Sequence, residues 1–263
     1  MGNSIVTASQ TLLHAALEAA ELGGRIALGQ WRAGILTEWK ADGSPVTAAD
    51  RAAETAIRAW VAERFPGDGV LGEELGETPG TTGRRWVLDP IDGTKVFVAG
   101  VPLWGSLVAV MEGDRVLAGA AVYPAVQESL AAAPGEGCWH NGSRAQVSRV
   151  ARLAEATVCT TDCSGFPDDA MRAGWEALAR RARVSRTWGD CYGYLLVATG
   201  RAEAMLDPVM NLWDSACLQP IITEAGGVFT DWHGAARADG GSVIATNAAL
   251  AAEVRGVVGG RGR

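Results

Sequence analysis

Histidine is scarce in this 263-residue chain: His14, His140 and His233 are scattered and belong to no metal-binding or phosphohistidine motif. That shortage excludes histidine-rich metal phosphatase chemistry. Cysteine is thin as well. Cys138, Cys159, Cys163, Cys191 and Cys217 are odd in number and in no zinc-type spacing, the usage of reduced thiols in a cytoplasmic protein. None of them opens the nucleophile loop of a cysteine phosphatase. No apolar run approaches the roughly 20 residues of a membrane span. Residues Met1 to Val6 lack a basic stretch followed by an apolar one, so no secretory signal is expected, and Val6 stands where a myristoylation motif wants Ser or Thr. Positive charge is in deficit too. A net charge of −7 argues against nucleic acid or an anionic membrane as the main partner. What is present, 48% apolar and 20% charged residues, is an ordinary globular composition able to bury one sizeable core or two modest ones.

Trp86-Val87-Leu88-Asp89-Pro90-Ile91-Asp92-Gly93-Thr94 organises the rest. A short apolar run reads as a buried strand that stops at Asp89, because Pro90 favours an extended residue before it and removes a backbone donor. Gly93 then permits a tight turn whose N–H groups can face an anion. Two carboxylates beside such a turn suit hard divalent cations that bridge a protein to a phosphate. The spacing is Asp-x-x-Asp, not the Asp-x-Asp of a haloacid-dehalogenase nucleophile.

In chain order, residues 5–33 carry apolar residues at helical spacing, with a candidate bend at Gly23-Gly24. A polar loop, Lys40 to Val46, leads to Thr47 and a second helix with Asp50 at its capping-box position, stopped by Pro66-Gly67. On local evidence Asp50 is a helix cap or a functional acid. Val70-Leu71-Gly72-Glu73-Glu74 reads as a strand running into two acids, of which only one can readily face the Asp89 side. Strand pairs follow at Leu103–Met111 with Val116–Tyr123, and at Ser129–Ala133 with Cys138–His140. The polar stretch Asn141–Ser148 is the candidate boundary between an N-terminal α+β unit, 1–142, and a C-terminal α/β unit, 143–263. Beyond it, strands (157–161, 184–186, 204–207, 228–229, 243–246) alternate with helices (168–182, 191–199, 213–225).

The acids at element ends are Glu73, Asp89, Asp92 and Asp214. Asp214 could equally be an N-cap. Four converging carboxylates would be prohibitive without compensation, and oxygen-only ligands favour Mg2+ over zinc.

Three segments carry a resemblance over nearly the whole chain: Gly72-Glu73-Glu74, Asp89-Pro90-Ile91-Asp92-Gly93-Thr94 and Trp213-Asp214-Ser215-Ala216 look like the signatures of the inositol monophosphatase superfamily. The resemblance implies an α+β/α/β fold, the layered αβαβ sandwich of the inositol monophosphatase and fructose-1,6-bisphosphatase type, with an antiparallel sheet first and a mixed sheet second. It implies two or three Mg2+ per site, with Glu73, Asp89 and the Ile91 carbonyl holding the first, and Asp89 bridging to a second held by Asp92 and Asp214. Thr94 and Glu73 would orient the attacking water, with Asp50 hydrogen-bonded to Thr94 to raise its basicity. The Gly93 and Thr94 amides would grip the phosphate. Homodimers are common among such relatives.

Gly189-Asp190-Cys191-Tyr192-Gly193-Tyr194 and Asp207-Pro208-Val209-Met210-Asn211-Leu212-Trp213-Asp214 resemble the histidinol-phosphate phosphatase branch. Asp190 stands where inositol monophosphatases carry a small residue, and an added carboxylate suits a cationic alcohol. The resemblance assigns Asp190, Asp207 and Asn211, with Asp214 beside them, to the substrate's polar groups and Arg186 to the pocket wall or phosphate side. Locally, Asp190 could also be a helix cap and Arg186 a structural salt-bridge residue, while Tyr192, Tyr194 and Trp213 read as packing. The expected partner is a small phosphorylated metabolite, neither nucleic acid nor membrane. The alternatives are a broad inositol-1-phosphate or sugar-phosphate phosphatase, and a catalytically idle relative that binds metal and ligand.

Overall fold

The computed structural model describes residues 7–32, 37–39 and 45–259. The stretch read for targeting signals and residues 40–44 of the polar loop lie outside them. In the first half, α1 (Ala8–Gln30) is capped by Thr7, whose Oγ1 accepts from Gln10 N at 3.1 Å. β1 (Thr37–Trp39) pairs antiparallel with β2 (Pro45–Thr47), so the end of the polar loop is a strand. α2 (Ala48–Arg64) starts with the expected box: Asp50 Oδ2 accepts from Thr47 N at 2.8 Å and Thr47 Oγ1 at 2.7 Å. Then come β3 (Gly69–Gly72), β4 (Gly76–Thr78), β5 (Arg84–Asp92), the short α3 (Thr94–Val98), β6 (Gly105–Glu112), β7 (Arg115–Tyr123), β8 (Glu128–Ala133), β9 (Gly137–His140) and β10 (Ser143–Arg144). These form an eight-stranded sheet in the order β10-β9-β8-β7-β6-β5-β3-β4, antiparallel except for the parallel β3–β5 pair.

The second half is β11 (Thr157–Thr160), α4 (Asp169–Arg181), β12 (Val184–Arg186), α5 (Asp190–Ala198), β13 (Ala204–Asp207), α6 (Leu212–Ser215), α7 (Leu218–Glu224), β14 (Gly227–Thr230), β15 (Val243–Asn247) and α8 (Ala251–Val258). Its five strands run β12-β11-β13-β15-β14, parallel on one side and antiparallel on the other, the mixed sheet expected.

Strand alternation builds the layers. Trp86 and Leu88 of β5 pack with Leu13, Ala16 and Ala20 of α1 and Ile57 and Val61 of α2, while Val87 faces the other way into the middle core. There Leu195 of α5 and Ile221 and Ile222 of α7 lie between the two sheets, meeting Leu107 from the first and Met205 and Ala245 from the second. Leu206 and Ile244 face outward onto Trp175 and Leu178 of α4 and Val254 of α8. Those two helices form a fifth layer beyond the four expected. No helix among the described residues is long and apolar enough to cross a membrane.

α1 runs as one helix through Gly23-Gly24, where Gly23 serves close packing: a Cβ there would lie 2.6 Å from Ser106 Oγ and 2.7 Å from Ile57 Cδ1. Three sequence expectations are corrected. β5 does not stop at Asp89 but continues to Asp92 across an irregularity, since Asp89 pairs with Leu107 and Asp92 with Gly105. Pro90, having no N–H, sits within that break in the ladder. Glu73 and Glu74 occupy the turn between β3 and β4 rather than a strand. The helix expected over 213–225 is two, α6 and α7, because Pro220 cannot donate back to Ala216 and belongs in the first turn of a new helix.

Candidate active site

The break in β5 falls within the central motif, between Asp89 and Asp92. Asp89 is 2% exposed and accepts Ile91 N on Oδ1 at 3.1 Å. The Ile91 side chain is anchored among Ala27, Ala49, Phe97 and Trp104, and its carbonyl accepts Thr94 Oγ1 at 3.1 Å. Gly93 adopts φ 84°, ψ 39°, the left-handed backbone open to glycine, and starts α3 with N–H groups that have no intrahelical acceptor.

Asp214 arrives from the other half of the chain. It is not the N-cap of α6; Asn211 is. Asp214 Oδ2 accepts Asn211 N at 2.7 Å and Asn211 Nδ2 at 3.3 Å, which fixes the carboxylate. Asp92 Oδ2 is fixed by Cys191 N at 2.5 Å. Asp89, Asp92 and Asp214 each present an oxygen, all within 4.8 Å of one another. Glu73 is half-buried on the β3–β4 turn and acts on the same cluster through its charge.

Electrostatics oppose leaving these carboxylates charged and uncompensated. Burial, then the charges of Glu73, Asp92 and Asp214, push Asp89 well above the usual carboxylate range. Burial with Asp190 and Asp214 does the same to Asp92, against the Cys191 N–H. Burial lifts Asp214 to about 6, opposed by the Asn211 N–H and reinforced by Glu73. Such a hard, oxygen-only donor set is what a divalent cation of the Mg2+ or Mn2+ type takes, so the residues fit a metal centre.

Asp190 is the first residue of α5, with φ 50°, and Gly189 is the N-cap. The helix-cap alternative for Asp190 therefore falls. A Cβ on Gly93 would lie 3.3 Å from Asp190 Oδ2, so this carboxylate rests against the Gly93 turn. Burial, with Asp207 beside it, raises Asp190 to about 7, opposed by Lys95 of α3. Asp207 is 3% exposed and fully engaged: Oδ1 accepts Thr161 N at 3.1 Å and Oδ2 accepts the Tyr194 hydroxyl at 2.9 Å. Arg186 is exposed, donates to the Ser185 carbonyl at 2.8 Å and stands 5.8 Å from the Trp188 ring centroid. It makes no salt bridge among the described residues. Asn211 holds Asp214 from an exposed position.

The expected Asp50–Thr94 pair is not made. Asp50 Oδ2 serves Thr47, its Oδ1 is buried without a hydrogen-bond partner, and the Thr94 proton goes to Ile91. Three contributors escaped sequence reasoning. Thr161 Oγ1 accepts Asp190 N at 2.8 Å, the Tyr194 hydroxyl braces Asp207, and Lys95 offsets the acids around Asp190. Only Lys95, next to the central motif, had a signal available in the sequence.

Comparison with known proteins agrees with this architecture. Residues 8–258 match the model of the inositol monophosphatase family. The histidinol-phosphatase of Chlorobaculum parvum is 40% identical over 249 residues, 94% of this chain and 96% of that one. The histidinol-phosphatase of Mycobacterium tuberculosis is 41% identical over 220 residues, covering 82% and 85% of the two chains. Among solved structures, an inositol monophosphatase from Zymomonas mobilis superposes with a TM-score of 0.84 at 30% identity, covering 96% of this chain and 99% of that one. Two layered sheets, an acidic cluster drawn from both halves and a family match spanning nearly every described residue lead to one assignment: the chain belongs to the inositol monophosphatase family.

Proposed function

We propose that this protein is a Mg2+-dependent phosphomonoesterase that hydrolyses L-histidinol phosphate to L-histidinol and phosphate. Enzymes of this family are metal-dependent, and the cluster of Asp89, Asp92 and Asp214 supports the same requirement here. The observation that carries the substrate reading is Asp190. Its carboxylate rests against Gly93, where the alcohol of a phosphate held by that turn would lie, and the substrate's ammonium and imidazole are suited to it. Relatives of 40% and 41% identity are histidinol-phosphatases, which favours the same ester.

On this reading Glu73, Asp89 and the Ile91 carbonyl hold one cation, and Asp89, Asp92 and Asp214 hold another. The ions, when bound, supply neutralisation of the phosphate charge and acidification of water. The chain's own residues do the rest. Glu73 and the Thr94 hydroxyl orient the water toward phosphorus. Asp50, whose buried Oδ1 is unpartnered, is the acceptor assigned to the Thr94 proton, and that switch would release the Ile91 carbonyl. The Gly93 and Thr94 amides hold the phosphate oxygens. Asn211 and Cys191 keep Asp214 and Asp92 aimed, while Asp190, on its floor of Asp207 and Tyr194, receives the cationic end of the alcohol. Arg186 flanks the phosphate side. Residues 1–142 thereby contribute most cation ligands, and residues 143–263 the alcohol pocket and the last ligand.

Phosphate release in Mg2+ from L-histidinol phosphate and inositol-1-phosphate, side by side, tests this. A large preference for histidinol phosphate is expected. Equal or inositol-favouring rates overturn the substrate, and release unaffected by chelator overturns the mechanism.

A further inference from the structure

The turn that carries Glu73 has little apolar packing of its own. β4 is exposed throughout, and Leu75 at the turn is 47% exposed. What holds it comes from α2, one layer below. Glu54 is wholly buried, a placement that costs several kcal/mol for a carboxylate unless its oxygens are satisfied. They are satisfied by the turn. Oε2 accepts Glu74 N at 2.8 Å, and Oε1 accepts Leu75 N at 3.2 Å and Arg58 Nε at 2.8 Å. Arg58 then reaches the far side of the same turn, donating to the Gly76 carbonyl at 2.5 Å and to Thr78 Oγ1 at 3.1 Å. A single buried ion pair thus grips the turn by its N–H groups and by its following carbonyl.

Gly72 is part of the same fit. A Cβ at that position would lie 2.1 Å from Glu54 Oε1 and 2.3 Å from its Cδ, so the chain passes flat against the carboxylate. Its backbone is not left-handed. Glycine is required there for space alone.

We propose that Glu54 and Arg58 are positioning residues for the cation site, clamping the β3–β4 turn so that Glu73 is presented to the Asp89 cluster before any ion arrives. The proposal rests on the reading of Glu73 as a ligand. Partners that orient metal ligands typically change affinity by about 10–100-fold when removed. A purely structural ion pair would change melting temperature and leave affinity intact.

The test is binding of Mn2+ alone, followed by loss of the free-ion paramagnetic resonance signal, with melting temperature measured in parallel. Wild type, E54Q, R58M and the ligand variant E73Q are compared with R64M, which breaks the exposed pair between Arg64 of the same helix and Glu18 of α1. Expected is a roughly tenfold or greater weakening in E54Q and R58M, in the direction of E73Q, with R64M unchanged. Should E54Q fail to fold, R58M carries the test, since its side chain is 15% exposed and leaves a smaller defect. Wild-type affinity in R58M and in folded E54Q, with E73Q weakened, overturns the clamp alone. Wild-type affinity in E73Q overturns the reading of Glu73 and the clamp with it.

Discussion

Cys191 donates its backbone N–H to Asp92 Oδ2 at 2.5 Å, joining residues 99 positions apart and registering the start of α5 on the end of β5. The residue before it, Asp190, is held in a left-handed backbone by that docking and by its own N–H bond to Thr161 Oγ1. The acidic cluster and the proposed alcohol pocket therefore meet at one stretch of backbone, and the consequences can be measured separately.

Asp190→Asn keeps the size of the side chain and removes its charge. A hydrogen bond to a charged partner is worth about 1.5–3 kcal/mol, so the KM for L-histidinol phosphate should rise roughly 10–100-fold. The rate with inositol-1-phosphate should hold or improve. Steady-state kinetics on both esters reads the ratio, and an unchanged ratio removes Asp190 from substrate recognition.

Asp89 is buried among other acids, with Glu73, Asp92, Asp214 and Asp50 all raising its pKa after burial itself. Asp89→Asn should lower kcat by roughly 10^3-fold, the scale of several kcal/mol of lost charge stabilisation. Chelation of the wild type should do likewise, with recovery on adding Mg2+ only in the wild type. Phosphate release before and after dialysis against chelator decides it.

Stability in chelator should depend on pH in a sense opposite to that of a paired surface acid. Asp214, at about 6, and Asp190, at about 7, lie above the ordinary unfolded value near 3.9. The native state then binds more protons than the unfolded chain. The stabilisation from these groups is complete below about pH 4 and is lost as pH rises through 6 to 7. Melting temperature in chelator should fall between pH 5 and pH 8, less steeply in Asp214→Asn, and added Mg2+ should raise it most at pH 8. A wild-type slope identical to that of Asp214→Asn would remove Asp214 from the explanation.

Gly119 of β7 is where the α6–α7 junction meets the first sheet: a Cβ there would lie 2.4 Å from the Cys217 carbonyl oxygen and 2.7 Å from its Cα. Neither atom belongs to a flexible side chain. Gly119→Ala should cost about 1–3 kcal/mol and push the junction away, carrying Asp214 with it. Urea denaturation reads the first effect and Mn2+ binding the second. Loss of stability without loss of affinity would show that α6 moves as a rigid unit.

Much of this was legible before folding. The central motif, the capping box at Thr47 and Asp50, the two hairpins and the alternating second half all follow from local chemistry that acts within a few residues: proline's missing donor, glycine's open backbone, apolar periodicity. Local rules misled where a distant partner intervened. Glu73 and Glu74 looked like a strand end, yet a buried carboxylate twenty positions back bends them into a turn. The Thr94 hydroxyl looked destined for Asp50, but it donates to the Ile91 carbonyl.

By itself, then, the sequence determined the family, the layered fold and the identity of the acids, because those are written in residue types and short spacings. Only the tertiary structure decided which acids share a 4.8 Å cluster, that Asp207 is buried and braced by Tyr194, that Asp190 lies against Gly93, and that Glu54 and Arg58 hold the turn of Glu73. These are distances between segments far apart in the chain, and they are set by how the layers pack.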